Sequence, residues 1–403
     1  MLTTILLILT TLLTDTAHTE AFVSGTYGQS THAILGESNG GFGVHARSIY
    51  DINTTHRVFG EASYDWNKSR ANHWVENADY DLLYPYLTCD TVGGGLKTET
   101  YSFYGGYRML KRNIVWHIAL RFRAMQSYRD VDPRPKNKVT DLNVDGGIGY
   151  LHNNYAYYLQ LNVGRYKQNN DIKFYSELGE SMIYHLVTPS ADYVRFAGSQ
   201  KESYYHGFRA GAAFHILPAG EGWMAAVQYN LLRVTKELHD NTYIPIGRLT
   251  NHALSAQLGY HAPLWNASLS GGFNMRRAMQ YIYGAAVNNY YNLLDKRITY
   301  AENSWHIGID ASYTLPLPFG KLTFVPALQY IHILRGDAAT STRFAELGDL
   351  LTDNRLNASA SICYFFPIHR KINWFVRPVG GCTYYTTTTR HTWQVAVETG
   401  IAF

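Results

Sequence analysis

From Ile114 to Met125 the chain reads IVWHIALRFRAM, with Ile114, Trp116, Ile118, Leu120, Phe122 and Ala124 at one parity and His117, Arg121 and Arg123 at the other. A helix would scatter these residues around its circumference, whereas a strand sends alternate side chains to opposite faces. The period of two therefore predicts a strand with one apolar and one cationic face. Asp141 to Tyr150 repeats the pattern, with Leu142, Val144, Ile148 and Tyr150 opposed to Asp141, Asn143 and Asp145. Paired antiparallel, the two strands place Arg121 and Arg123 on the face that carries Asp141 and Asp145. A hydrated, charge-paired face behind an apolar one, repeated along a chain, is the patterning of a barrel wall in lipid.

The repetition is extensive. Segments 22–29, 42–50, 58–66, 101–109, 155–163, 208–216, 223–231, 254–260, 267–275, 305–315, 322–330, 356–366, 374–384 and 391–403 carry the same alternation in varying clarity. With the first two they give an all-β, transmembrane antiparallel barrel of about 16 strands, or about 14 if the first pair does not form, an even number as this class requires. Connectors alternate in length. Segments 111–113, 152–154, 218–222, 262–266, 315–320 and 367–371 are short; 67–97, 128–138, 167–202, 236–250, 277–303 and 335–355 are long. Such barrels set tight turns on the periplasmic side and long loops outside, so the wall can be oriented.

Aromatic placement separates this fold from a soluble β-sandwich. Aromatics make up 14% of the chain. On the outward face Trp116, Tyr150, Trp223, Tyr260, Tyr313, Trp374 and Phe403 fall near the short turns, and Trp66, Trp305 and Trp393 near the long loops. Two aromatic rings around an aliphatic band match interfacial girdles, and a sandwich has no reason to sort them by strand end. The last strand, with Val395, Val397, Ile401 and Phe403 alternating, resembles the signal such barrels present to their assembly machinery.

Leu2 to Leu13 is the longest apolar run. At that length it cannot span as a helix, which needs roughly 20 residues. It reads as the core of a secretory leader over 1–17, cut near Ala17 and lacking the usual Lys or Arg before it, followed by one domain over 18–403. The net charge of +4 is spread without a basic run, which excludes nucleic acid as a partner. Outer-membrane lipid and the barrel assembly machinery are the expected partners, with an uptake or secretion component a further one. Of the three cysteines, Cys363 and Cys382 fall on one predicted hairpin, roughly 20 Å out of register. That is too far apart to bridge.

The stretches DYDLLYPY (Asp79 to Tyr86), YRDVDPRP (Tyr128 to Pro135) and YKQNND (Tyr166 to Asp171) resemble an uncharacterised outer-membrane β-barrel family of Bacteroidota, a domain of unknown function, over about 58–207. The resemblance implies fold and location and brings no activity with it.

Candidate functional groups are the charges on the inward parity: Arg47, Glu61, Asp65, Arg108, Arg121, Arg123, Asp141, Asp145, Arg209, Asp310, Arg377 and Glu398. Both signs occur, which does not fit a filter of one sign. They form either a solvated, ion-paired lining or a charge ladder for a solute. Asp130 and Asp132 beside Arg129 and Arg134 suit loop-to-wall ion pairs better than Ca²⁺, since one Asp-x-Asp lacks further oxygens. His73, His185, His206 and His239 have no spacing typical of a metal site, and no cofactor is expected. The loops from 67 and from 167, rich in Tyr, Trp, His and Asn, suit a recognition surface or a packed plug equally. Three classes follow: a non-enzymatic pore or accessory barrel for solute uptake; a structural or secretion-partner barrel with a plugged lumen; and a membrane hydrolase. The hydrolase requires Ser or Asp with His on the lipid-facing wall, a combination missing from the outward residues named here.

Overall fold

The computed structural model describes residues 18–31, 36–73, 75–175, 183–188, 191–192, 202–240, 242–287, 290–335, 352–369 and 372–403. The predicted leader lies outside these residues. The wall begins with β1 (His18–Ser30), β2 (Ser38–Asp51) and β3 (His56–Arg70). Segment 71–96 follows, carrying a one-turn helix α1 (Tyr80–Leu83) and a short β4 (Thr88–Cys89). The wall resumes with β5 (Lys97–Lys111), β6 (Ile114–Tyr128), β7 (Arg134–His152) and β8 (Tyr155–Lys173). After the small β9 (Tyr184–Thr188) and β10 (Ala191–Asp192) come β11 (Glu202–Pro218), β12 (Gly222–Asp240) and β13 (Thr242–His261). The barrel ends with β14 (Trp265–Val287), β15 (Tyr290–Leu317), β16 (Gly320–Arg335), β17 (Arg355–His369), β18 (Ile372–Tyr385) and β19 (His391–Ala402).

Sixteen of these strands close one antiparallel barrel, and β4, β9 and β10 form a separate small sheet. The first predicted pair does form. β1 seals the cylinder against β19, from Glu20↔Ala402 to Ser30↔Thr392. Closure satisfies every strand edge, which is what allows a sheet to sit in lipid, where unpaired backbone groups have no water to bond.

Parity is kept as the sequence predicts. On β6 Trp116, Ile118 and Leu120 are exposed on the outside, while Val115, His117 and Ala119 are buried inside. Arg123 pairs across the ladder with Asp141 and Arg121 with Asn143, so the charges share the inner face. The outer band is aliphatic, with Ile118 58% and Leu161 57% exposed, and is bounded by Trp116, Trp223 and Trp374 near one rim and Trp305 near the other. Such a belt would be a liability in water and is the required surface in a bilayer. At the short-turn rim Asn153 and Asn154 both take positive φ, the conformation two-residue hairpins favour.

Three predicted loops are corrected. Segments 128–138, 236–250 and 277–303 are mostly wall: β7 starts at Arg134, β12 runs to Asp240 with β13 resuming at Thr242, and β14 reaches Val287 with β15 starting at Tyr290. These strands were hidden because the chemistry of the two faces exchanges above the lipid band. On β12 the inward residues change from Gln228 and Asn230 to Leu232, Val234 and Leu238, while the outward ones change from Val227 and Tyr229 to Arg233, Thr235 and Glu237. A bulge at Lys236/Glu237 shifts the register so that Ile244 and Leu249, of opposite parity, are both buried.

What these inward aliphatics meet is segment 71–96, read from sequence as a polar interruption. Its middle is apolar and lies inside the barrel. Leu83, Tyr84, Tyr86 and Leu87 are buried in one cluster with Tyr166, Tyr205, Val234, Leu238, Ile246, Leu249 and Tyr300 of the wall. β9 pairs with β4 through Thr88↔His185 and Cys89↔Tyr184, so part of the connector 167–202 is folded in as well. All three cysteines are free: Cys89 and Cys363 are buried and Cys382 is exposed.

Candidate functional site

A plug is useful only if it is held, and the holding groups are charges. Segment 71–96 is fixed at two levels. Near the rim, Arg129 of the β6–β7 turn donates to Glu76 and, at 2.6 Å, to Asp90 Oδ2, with all three side chains almost wholly buried. Its Nε donates to the Pro133 carbonyl at 3.0 Å. Asp90 also caps the next turn, accepting from the backbone N–H groups of Val92 and Gly93 at 2.6 and 2.7 Å. Gly94, with φ of +139, leaves space for the guanidinium arm: a Cβ there would lie 2.7 Å from Arg129 Cδ.

Deeper in the barrel, Arg123 on β6 makes a fork to the plug's Asp79, at 3.1 Å to Oδ1 and 2.6 Å to Oδ2. Tyr166 donates to the same carboxylate at 2.9 Å. Arg123 also lies 3.7 Å from Asp141, which accepts from Arg209 at 2.9 Å. Plug and wall therefore share one ion-pair chain, Asp79, Arg123, Asp141 and Arg209, spanning β6, β7 and β11. The paired fork fixes geometry better than a point charge would. Burial pushes the phenols of Tyr80 and Tyr86 above their ordinary range, so both stay neutral in the plug. Gly247 on β13 allows Tyr86 to lie against the wall, where a side chain would collide with the ring.

Below the plug lies a cavity of about 770 Å³, with Asp79 and Leu82 at its roof. Its charged lining is Arg121, Arg123, Asp141, Asp145 and Arg209, so five of the sequence-predicted charges converge here. Asp145 accepts from Gln160 at 3.3 Å and contacts His117 Nε2 at 2.8 Å. Arg121 rests over the Tyr104 ring at 5.0 Å. The remaining lining mixes amides and hydroxyls, among them Asn162, Gln228, Asn230, Asn274 and Ser270, with apolar residues such as Phe122, Leu231, Leu232, Leu254 and Phe273.

The other predicted charges do not join this chamber. Arg47 pairs with Glu20 at 3.2 Å and Arg377 with Glu398 at 2.9 Å. Arg47, Glu20 and Arg377 line a second cavity of about 670 Å³ near the short turns. Asp65 contacts His45 at 3.4 Å, and Asp310 accepts from Ser268 at 2.8 Å. Arg108 is buried cross-strand from Arg57, which binds Asp51, and Glu61 stands exposed opposite Arg47. Asp130 pairs with Lys97 of the neighbouring strand and Asp132 with Arg134.

Sequence reasoning missed Glu76, Asp79 and Asp90 as partners because they lie off the wall strands, and Glu20 because β1 begins at His18, ahead of the predicted segment 22–29. A signal existed: the run Leu82, Leu83, Tyr84, Pro85, Tyr86, Leu87 is too apolar for a solvated loop. The outer wall does carry imidazoles near the long-loop rim, a point the outward residues named from sequence omitted. His252 is bonded to the Tyr229 hydroxyl at 2.7 Å and His332 packs on Trp305, so among the described residues their partners are aromatic. No group of three or more His, Cys, Asp or Glu is placed to hold a metal ion among the described residues.

Residues 7–330 match the profile of a family of unknown function, DUF6850. The sequence matches none of the curated proteins. Similar solved structures include a bacterial polysaccharide outer membrane secretin, at 10% identity over 96% of this chain and 98% of that one, with a TM-score of 0.37. They also include a FadL homologue of Pseudomonas aeruginosa (10% identity, 96% and 89% covered, TM-score 0.41) and CdiB from Acinetobacter baumannii (7%, 96% and 60%, 0.45).

Proposed function

The chain belongs to the DUF6850 family, and we propose that it is an integral outer-membrane barrel, non-enzymatic, that acts as a gated pore or accessory barrel in solute uptake. Its long-loop end faces outward and is shut at rest by its own segment 71–96. Outer-membrane lipid surrounds the aliphatic belt, and the assembly machinery recognises β19, in keeping with the alternating apolar series that ends on Phe403.

One observation carries this reading: the plug is packed as a protein core, with Leu87 and Leu238 fully buried against one another's cluster. A 16-stranded barrel is otherwise wide enough for an aqueous channel. Filling one end with aliphatic and aromatic side chains, tied by two ion-pair sets, removes the path for free diffusion and leaves a polar chamber behind it. Passage then requires the plug to shift. Such a shift breaks Asp79 away from Arg123 and Tyr166.

Conductance in planar bilayers tests the reading. The full chain is expected to be silent, and a variant with residues 77–90 replaced by a Gly/Ser linker of equal length is expected to show discrete openings. A full chain that conducts steadily would reject a resting seal.

A second reading, a barrel that docks a secretion or uptake partner, is favoured by one feature. The β14–β15 hairpin rises beyond the rest of the wall, and residues 292–298 on its β15 arm are exposed on both faces, with Leu294 69% and Ile298 61% exposed. Uncovered leucine and isoleucine outside the lipid belt suit a contact surface. Co-purification with and without that arm separates the two.

A further inference from the structure

The lipid belt is not bordered in the same way all around the barrel. On β8 the outward series runs Leu161 and Val163 and then, toward the long-loop side, Arg165 and Lys167. On β12 it runs Val227 and Tyr229 and leads to Arg233, and on β7 Lys138 stands on that side of Leu142. Lys138, Arg165, Lys167 and Arg233 are all exposed and make no ion pair among the described residues. On the far side of the cylinder, from β16 through β19 to β1, the outward residues toward the same rim are Leu334, Tyr384, Trp393 and Tyr27. Basic side chains that served only to carry charge from an apolar wall into water would have no reason to gather on one arc.

The register brings these cations together. Phe208 of β11 lies opposite Arg165 on one side and Arg233 on the other. Two strand spacings separate the two arginine backbones, roughly 10 Å, so both guanidinium groups reach a single headgroup. Lys167 lies one position further along, opposite Thr140, and Lys138 is beside it opposite Asn169. The carboxylates on this face lie further along their strands than Arg165 and Arg233 and are engaged: Asp171 lies 3.8 Å from Lys173, Glu237 lies 3.4 Å from His206, and Glu202 accepts from the Tyr204 hydroxyl. On the other side of the arginines Phe208, Val163 and Leu161 are exposed to hydrocarbon. The surface thus offers cations at the height where a lipid carries its phosphates, continuous with an apolar wall where it carries its acyl chains. A guanidinium meets phosphate with two parallel hydrogen bonds. A phospholipid with one phosphate and its own ammonium supplies one anion and a competing cation, whereas a lipid with several phosphates and no ammonium matches the whole cluster.

We propose that this arc of the rim binds a multiply phosphorylated lipid of the outer leaflet, with Arg165 and Arg233 on its phosphates, Lys138 and Lys167 completing the charge, and its acyl chains over Phe208, Val163 and Leu161. The proposal rests on the outer-membrane reading and adds to it a lipid class and a place.

Native mass spectrometry of the full chain released from detergent micelles tests it, with diphosphoryl lipid A, monophosphoryl lipid A and phosphatidylethanolamine added in turn. Diphosphoryl lipid A is expected to bind at least about tenfold more tightly than phosphatidylethanolamine, with the monophosphoryl form between them, because each basic residue near the headgroups adds to the attraction. The triple variant Arg165→Gln/Lys167→Gln/Arg233→Gln is expected to lose that preference. Lys68→Gln/Arg70→Gln, which removes exposed cations of β3 from another arc of the rim, is expected to keep it, and excess inorganic phosphate is expected to leave the lipid bound. Equal affinity for phosphatidylethanolamine, an unchanged preference in the triple variant, an equal loss in the β3 variant, or displacement by inorganic phosphate would overturn the site. A barrel that folds into vesicles, shown by its heat-dependent shift on gels, yet has no lipid preference rejects the lipid site alone; a chain that stays monodisperse in buffer without detergent rejects the outer-membrane reading on which it rests.

Discussion

The inside of this barrel is two solvents stacked along one axis. On the same face of β12, Gln228, Asn230 and Leu232 border the chamber, and higher up Val234 and Leu238 are packed in the plug core around the buried Lys236, whose ammonium donates to the Leu87 carbonyl at 2.7 Å. On β12 backbone and parity run on between them, and its pairing with β13 is regular up to the bulge at Lys236/Glu237; what differs most is the neighbour. The open chamber lies opposite the lower residues, and the plug's Tyr84, Tyr86 and Leu87 lie opposite the upper ones. What an inward residue should be is thus set by what the lumen holds at that height, and a barrel filled by its own segment needs an apolar interior where an open porin would need a polar one.

The comparison can be broken most severely at Arg129. Its loss as Arg129→Met strands Glu76 and Asp90, both buried, in the dry half. Removing one partner of a buried ion pair costs about 3–5 kcal/mol, which urea unfolding in micelles would record. Next comes a matched pair on β12. Leu238→Asn introduces an unpaired amide into the plug core and is expected to destabilise by about 3 kcal/mol. Gln228→Leu, in the polar half, removes a weakly bonded amide and should cost about 1 kcal/mol or less by the same measurement. Equal effects at the two positions would mean that the halves are not different media. An effect between those two belongs to the boundary. Asp79→Asn weakens the fork to Arg123 and is expected to loosen the plug by about 2 kcal/mol while leaving the wall intact, read as faster limited proteolysis within 71–96.

How much of this could be read from the sequence follows from the same division. Inside the lipid band the outer face must be apolar, so Trp116, Ile118 and Leu120 announce β6 and its parity without any tertiary knowledge. The strand count of about 16 and the shared inner face of Arg121, Arg123, Asp141 and Asp145 follow from that rule, whereas their meeting with Arg209 in one chamber needs the closed barrel. Above the band the outer face meets water and the inner face meets the plug, and the rule inverts. Segments 236–250 and 277–303 then look like polar loops although they are wall, because Arg233 and Glu237 point out where Val227 did below. Asp79 carries no periodicity at all; only its three-dimensional place under Arg123 marks it as part of the site.

The central claim, that segment 71–96 is a packed part of the interior rather than a surface loop, is tested most directly by amide hydrogen exchange on the lipid-embedded chain. The N–H groups of Tyr84, Tyr86 and Leu87 are bonded within the segment, and that of Leu186 donates to the Leu87 carbonyl. Protection of residues 83–88 comparable to that of mid-strand β6 is the expected result. Exchange of those residues at the rate of an open loop, with β6 still protected, would contradict it.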